Sequence, residues 1–285
     1  MKRRLLVGLY LVAGLVALAI LAFLPGGARA QFDVLAEFEL HPIIKLPSIG
    51  PVDLSINKAV IYLWITTAVL AVCAFIISRN IKPVPSRFQF VMETLYELAR
   101  RSIVGAVMKS DQASWFPYIA GAFFFVLVSN LIGLVPLPFA ENHQFGFYAA
   151  TANLYATLAL ALCTFVFTHY AGIRKHGLVG YVNGWVPSSA PPVLRQLMLL
   201  IHAISEVFRL VSLSVRLFAN MLAGHSILAV FFAMALIFQN YLAAVVLQAG
   251  SIIIYLFEIF IACIQAFIFA ILSAVYIGGA LDQEE

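Results

Sequence analysis

Apolar runs of about twenty residues recur along this chain, and that length dictates what it can fold into. A helix rises about 1.5 Å per residue, so such a run spans the roughly 30 Å hydrocarbon core of a bilayer. The runs are continuous rather than alternating, which disfavours a membrane β-barrel, whose strands alternate between lipid and lumen. Hydrophobic residues make up 63% of the chain and charged residues 11%, against about 25% charged in a soluble domain. The fold class expected is an all-α polytopic membrane protein. The net charge of +4 comes from loop lysines and arginines and bears on membrane topology, not on nucleic-acid binding.

Lys2, Arg3 and Arg4 precede an apolar stretch over residues 5–24, and Ala28-Arg29-Ala30 follows. A basic start, an apolar core and a small-residue site read as a signal peptide over residues 1–30, with an uncleaved anchor as the alternative. Residues 31–58 carry Pro42, Pro47 and Pro51 and are expected to be an external segment with room for a short interfacial helix. Residues 59–285 form the membrane domain. The first span is placed at 59–78, and Arg79, Lys82 and Arg87 mark its inner end. Over residues 87–109, Glu93, Glu97, Arg100, Arg101 and Lys109 interrupt the apolar positions in a helical pattern, that of an amphipathic helix on the inner interface. The second span is placed at 116–135, ending at Pro136 and Pro138, with Glu141, Asn142 and His143 in an external loop. The third is placed at 148–170, returning to Arg174, Lys175 and His176, before a Gly, Pro and Ser loop over 177–192.

Two long helices, 193–238 and 241–281, close the chain. At forty-odd residues each would be about 60 Å long, twice the thickness of the hydrocarbon core. They must tilt strongly, break or project from the membrane. Gln239-Asn240 leaves so short a connection that an antiparallel hairpin over 193–281 is expected. With this order of spans the mature N-terminus is external and the C-terminus cytoplasmic.

Within the first long helix, Arg216 lies deep in an apolar run. A guanidinium stays protonated at physiological pH, and placing one at mid-membrane costs at least about 2.5–3.5 kcal/mol. A membrane protein keeps such a residue where a partner or a wet path compensates it, so Arg216 is the first site candidate. On a wheel at about 100° per residue, His202, Ser205, Glu206, Arg209, Ser212, Arg216 and Asn220 share an arc of roughly 120°. A polar stripe of that kind needs a wet groove or a polar partner; snorkelling toward water is the alternative for Glu206 and Arg209.

The last helix carries Gln248, Ser251, Tyr255, Glu258, Gln265, Ser273 and Tyr276 on one face of about 100°. Glu258 has no cation near it in sequence, and such a carboxyl takes a proton or finds a partner. His225, on the other arm of the expected hairpin at broadly similar depth, is the candidate, although it falls on the side of its helix opposite Arg216. The bland readings are a structural ion pair for this couple and simple helix-to-helix clamps for Gln248 and Gln265. Cys73, Cys163 and Cys263 fit no metal or disulfide pattern and read as small core residues.

The stretch Ser212-Leu213-Ser214-Val215-Arg216-Leu217-Phe218-Ala219-Asn220-Met221-Leu222-Ala223-Gly224-His225 resembles the signature on the penultimate helix of the subunit a family of F-type ATP synthases. Gln265-Ala266-Phe267-Ile268-Phe269 with Tyr276 resembles the signature of that family's last helix. Asn130-Leu131-Ile132-Gly133-Leu134-Val135-Pro136 and Thr151-Ala152-Asn153-Leu154 resemble two further motifs, and the similarity runs over roughly residues 31–281. The resemblance implies a non-catalytic proton-channel subunit without a cofactor or metal, with its two last helices tilted around a ring of c subunits, each bearing a carboxylate. It implies peripheral-stalk b subunits and the rest of the synthase as further partners, in a bacterial plasma membrane or, alternatively, an organelle inner membrane. By the match, Arg216 faces the passing carboxylate, and Asn220 and Gln265 line its surroundings. His225 and Glu258 stand where other members carry the same pair in reverse. The chain departs from the family at Leu210, where many members have Pro, and at His202, where many have Glu. His202 with Glu206, on the stripe that also holds Ser212, is therefore the expected inner exit, or water alone. A self-contained secondary transporter is the runner-up, but repeated halves with interrupted helices are not found; nor is an enzyme's nucleophile or metal constellation.

Overall fold

Asn57 starts the first long helix by a local device: its side-chain oxygen accepts a hydrogen bond from Val60 N at 3.1 Å, satisfying one of the orphan donors of a helix start. The computed structural model describes residues 42–44, 55–135, 149–186, 191–237 and 241–282. The expected signal peptide, most of the 31–58 segment, the loop with Glu141 to His143 and the Gln239-Asn240 turn lie outside the described residues. Where the 31–58 segment is described it is not an interfacial helix. Strand β1 (Pro42–Ile44) pairs antiparallel with β2 (Ile56–Asn57).

Five helices among the described residues are long and apolar enough to cross a membrane. They are α1 (Lys58–Arg79), α3 (Gln112–Gly133), α4 (Leu154–Asn183), α5 (Pro192–Ile237) and α6 (Tyr241–Leu281). Between α1 and α3 lies α2 (Arg87–Glu97), capped by the Ser86 hydroxyl, which accepts from Gln89 N. It continues through a π-helical stretch, Leu98–Val104, and a last turn, Gly105–Val107. At 46 residues α5 is about 70 Å long, far more than an upright crossing needs.

The sequence reading misplaced both ends of α4. Asn153 delays the start, because its side chain accepts a bond from Tyr155 N at 2.7 Å and acts as the cap. The end runs on past Arg174 and Lys175 to Asn183, with a sharp kink at Gly177 (φ 73°, ψ 164°), a backbone region essentially reserved for glycine. A straight helix would hold residues 172 and 181 about 13 Å apart. Instead, a Cβ built on Gly172 would stand 2.9 Å from Tyr181 Cζ. The chain therefore doubles back at Gly177, and residues 178–186, which the sequence pattern assigned to a Gly, Pro and Ser loop, are an ordered cap on α4.

The chain divides into two units, a larger one of Leu40–Ala223 with Glu258–Glu285 and a smaller one of Met1–Glu39 with Gly224–Phe257. The larger unit holds the main core. On α6, Ala262, Ala266, Ala270 and Ala274 recur every fourth residue and are fully buried. Without a strong hydrophobic drive between helices in lipid, such small residues allow the close backbone approach on which packing depends. Leu213, Leu217 and Met221 repeat at the same spacing on α5 and are equally buried, and Ile119, Phe123 and Val126 of α3 complete the packing with Phe269. In the smaller unit, α6 comes close to α5 where a Cβ on Gly250 would lie 3.2 Å from the Phe231 ring.

The outward surface is apolar. Trp64, Val72 and Phe75 of α1 and Phe208 and Val215 of α5 are exposed, as lipid-facing positions are. The cysteines correct their core reading: Cys163 and Cys263 are exposed and Cys73 is only half-buried, because each falls on an outward face of its helix.

Candidate functional site

Spacings of three and four along α5 bring His202, Glu206 and Arg209 onto one patch. Glu206 is 6% exposed. A carboxylate so buried is costly unless paired, and two bases serve it through the same oxygen. Arg209 Nη1 lies 2.5 Å from Glu206 Oε1, and His202 Nε2 lies 3.3 Å from it. The Arg209 guanidinium also sits over the Tyr276 ring of α6 at 5.3 Å, and the His202 imidazole stacks on Trp185 at 4.7 Å with 27° between planes. A cavity opens beside this group, walled by Thr164, Phe165, Thr168, Glu206, Arg209 and Tyr276 among others. Behind it runs a seam of hydroxyls: Tyr118 to Thr164 at 2.7 Å, and Thr164 to Ser273 at 3.2 Å. The Glu206 side chain thus turns into the packed helices, where it is held from two sides.

Ser212 and Arg216 lie on the other edge of the stripe and are exposed on the outer face of α5. Ser212 returns its hydroxyl to the Arg209 carbonyl at 3.1 Å. Among the described residues, no hydrogen bond or ion pair holds Arg216. One turn further, Asn220 faces inward and donates through Nδ2 to Gln265 Oε1 on α6. Gln265 is 1% exposed, and its Nε2 has no hydrogen-bond partner among the described residues. As numbering rises from Arg209 to Asn220 on α5 it falls from Tyr276 to Gln265 on α6, so these two stretches of the larger unit run antiparallel. The polar arc of α5 is thus not one groove. It is shared between a buried inner cluster, an open face with Arg216, and an amide bridge.

Glu258 belongs to the larger unit and is 3% exposed. His225 belongs to the smaller unit and is half-buried. Ser251, Tyr255 and Tyr276 are half-buried and Ser273 is fully buried, whereas the Gln248 side chain lies outside the described set.

Sequence reasoning missed several polar residues. Asn130, fully buried on α3, accepts from Thr151 Oγ1 at 2.6 Å and donates to the Ala262 carbonyl of α6 at 3.4 Å. Its family motif was visible, but its role as a tie between three segments was not. Trp185, Tyr181 and His169 carried no periodic signal, because only the fold-back at Gly177 assembles them.

Fold and polar groups together define an all-α, multi-pass membrane protein that keeps ionisable side chains inside its helix packing. A family model described as ATP synthase A chain matches residues 60–278. The chain is 38% identical over 239 residues to an ATP synthase subunit a from Rubrobacter xylanophilus, covering 83% of this chain and 88% of that one. It is 35% identical over 262 residues to the subunit a of Magnetococcus marinus, covering 89% and 95%. The corresponding protein of Pelodictyon phaeoclathratiforme is 37% identical over 254 residues, covering 86% and 71%. The chain belongs to the ATP synthase subunit a family.

Proposed function

We propose that this chain conducts protons as the stator-side membrane subunit of an F-type ATP synthase, with Arg216 separating two offset half-channels. The observation that carries the reading is Arg216 itself: a permanent cation on the outer face of α5, held by no described residue, one turn from a buried amide bridge. A cation so placed suits an anionic partner that comes and goes. The partner proposed is the carboxylate of each c subunit in a rotating ring, with peripheral-stalk b subunits and the rest of the synthase completing the assembly.

A proton entering from outside passes the His225 and Glu258 region and neutralises a ring carboxylate. Neutral, that group can face lipid; ionised, it cannot. Arg216 attracts the ionised form, by about 4 kcal/mol at about 4 Å with an effective dielectric of about 20, before desolvation. It also blocks leakage, because it does not give up its own proton. The carboxylate then releases its proton to an inner path past Ser212, in which His202 and Glu206 take part; the cavity and hydroxyl seam beside Glu206 support that route. Each charge crossing yields about 2.3 kcal/mol per 100 mV of membrane potential. The mature N-terminus is placed outside and the C-terminus in the cytoplasm of a bacterium, or in the equivalent compartment of an organelle.

The test is Arg216→Ala in the assembled complex. Coupled ATP synthesis is expected to vanish while the ring stays assembled. Proton-driven synthesis at an undiminished rate would sink the assignment.

A further inference from the structure

We infer that Trp185 is a positioning residue for the inner proton path: stacked on His202, it fixes the imidazole against Glu206. The inference rests on the reading that His202 and Glu206 pass protons inward. It adds a residue, from a stretch that looks like plain loop, on which their geometry depends.

Trp185 reaches His202 only because the chain reverses at Gly177. Five contacts lock the reversed segment. Tyr181 lies on Gly172, where even a methyl group would collide with the ring. Tyr181 and Trp185 meet edge to face at 5.5 Å, and both contact His169, at 5.8 and 6.2 Å. Arg195, near the start of α5, donates to Asn183 Oδ1 at 3.1 Å. Trp185 is therefore delivered to α5 by an ordered cap with its own packing.

The second torsion of a histidine is broad and roughly two-fold, so an unstacked imidazole samples several planes. A near-parallel indole at 4.7 Å selects one of them, and in that plane Nε2 lies 3.3 Å from Glu206 Oε1. The alternative matters because Arg209 competes for that same oxygen at 2.5 Å. If His202 swings away, Glu206 is left to a guanidinium that neither takes nor releases protons. The titratable and charged groups facing His202 and Glu206 are Arg209 on α5, His169 and Tyr181 on α4, and Tyr276 on α6 through Arg209. Among the described residues, His202 is the imidazole in contact with Glu206, and an imidazole, unlike a guanidinium, can take up and release a proton. Holding it in place keeps the carboxylate in exchange with the cytoplasmic side.

Two measurements test this. The first is ATP-driven proton pumping by the assembled synthase in inverted membrane vesicles, for Trp185→Ala, Trp185→Phe, His202→Gln and the double variant Trp185→Ala/His202→Gln. Trp185→Ala should lower pumping several-fold, Trp185→Phe should restore most of it because a phenyl ring still stacks, and Trp185→Ala should have no further effect once His202 is Gln. Losses that multiply in the double variant, or a Phe variant as poor as Ala, overturn the inference. The second uses the full chain with Trp64→Phe and Trp115→Phe, leaving Trp185 as its sole tryptophan. Protonated imidazole quenches a stacked indole, so emission should fall as pH drops through the imidazole range; His202→Gln should abolish the fall and His169→Gln should retain it. A fall that survives His202→Gln refutes the stacking. Normal pumping by His202→Gln with the quench abolished would refute the exit-path reading while leaving the stacking contact established.

Discussion

Asn220 donates a hydrogen bond to the buried amide of Gln265, and this bond joins α5 to α6 one helical turn beyond Arg216. Hydrogen bonds between membrane helices are worth about 0.6 kcal/mol on average and up to about 1.7. The larger consequence is geometric, since the bond holds the α5 backbone that carries Arg216. Asn220→Leu and Gln265→Leu should each lower proton pumping. The double variant should be no worse than the poorer single, a coupling of about 1 kcal/mol in a double-mutant cycle. Independent effects would show that the two amides act separately.

The five membrane crossings were legible because run length alone decides them, and α1, α3 and α6 end within a few residues of where the pattern places them. The α4 boundaries were not, because they rest on a cap at Asn153 and on Tyr181 packing against Gly172, a contact between residues that no periodicity links. Periodicity did put His202, Glu206, Arg209, Arg216 and Asn220 on one arc. It could not say which edge of the arc would be covered, since that depends on α4 and α6. Glu206 and Asn220 are turned inward by those neighbours and Arg216 is left outside. The cysteines failed for the same reason, because an apolar helix in lipid gives no sequence signal for which face is core.

The glycines of the larger unit separate into those that touch and those that do not. A Cβ on Gly133 would lie 2.7 Å from the Ala149 backbone, which cannot swing aside, whereas Gly121 and Gly279 have nothing within 4 Å. Gly133→Ala should therefore destabilise the chain by about 1–3 kcal/mol, and Gly121→Ala and Gly279→Ala should be close to neutral. Gly172→Ala should also destabilise, and Tyr181→Ala in the same chain should relieve part of the clash, because there the obstacle is a ring. Thermal unfolding of the purified complex and the yield of chain in membranes would check the order. Equal behaviour of Gly133→Ala and Gly121→Ala would contradict the packing described.

Asn130 offers a cleaner test of a buried polar tie. Thr151→Val keeps the side-chain volume but leaves Asn130 Oδ1 without the donor that now sits 2.6 Å away. An unmade buried bond costs about 1–3 kcal/mol, so Thr151→Val should lower thermal stability. Thr151→Ser keeps the hydroxyl and should retain most of it. Pairing Thr151→Val with Asn130→Leu should recover part of the loss, since no polar atom is then stranded. If the double variant is as unstable as the sum of the singles, the bond contributes little and the positions matter only for packing.

His225 and Glu258 provide the last test, that of the proposed outer path. Glu258 is a buried carboxyl within an apolar stretch of α6, and His225 sits on α5 nine residues past Arg216. If the two relay protons together, what matters is one acid and one imidazole, not which helix bears which. His225→Ala and Glu258→Ala should each depress proton-driven ATP synthesis strongly. The exchange His225→Glu with Glu258→His should retain more activity than either half of the exchange alone. The comparison is made in vesicles energised by an imposed proton gradient, with c-ring content measured in each preparation so that assembly defects are scored separately. Equal loss in the two halves and in the full exchange, at equal ring content, would mean that the residues do not work as a pair. The outer path would then have to be sought along other polar side chains of α6, beginning with Ser251 and Tyr255.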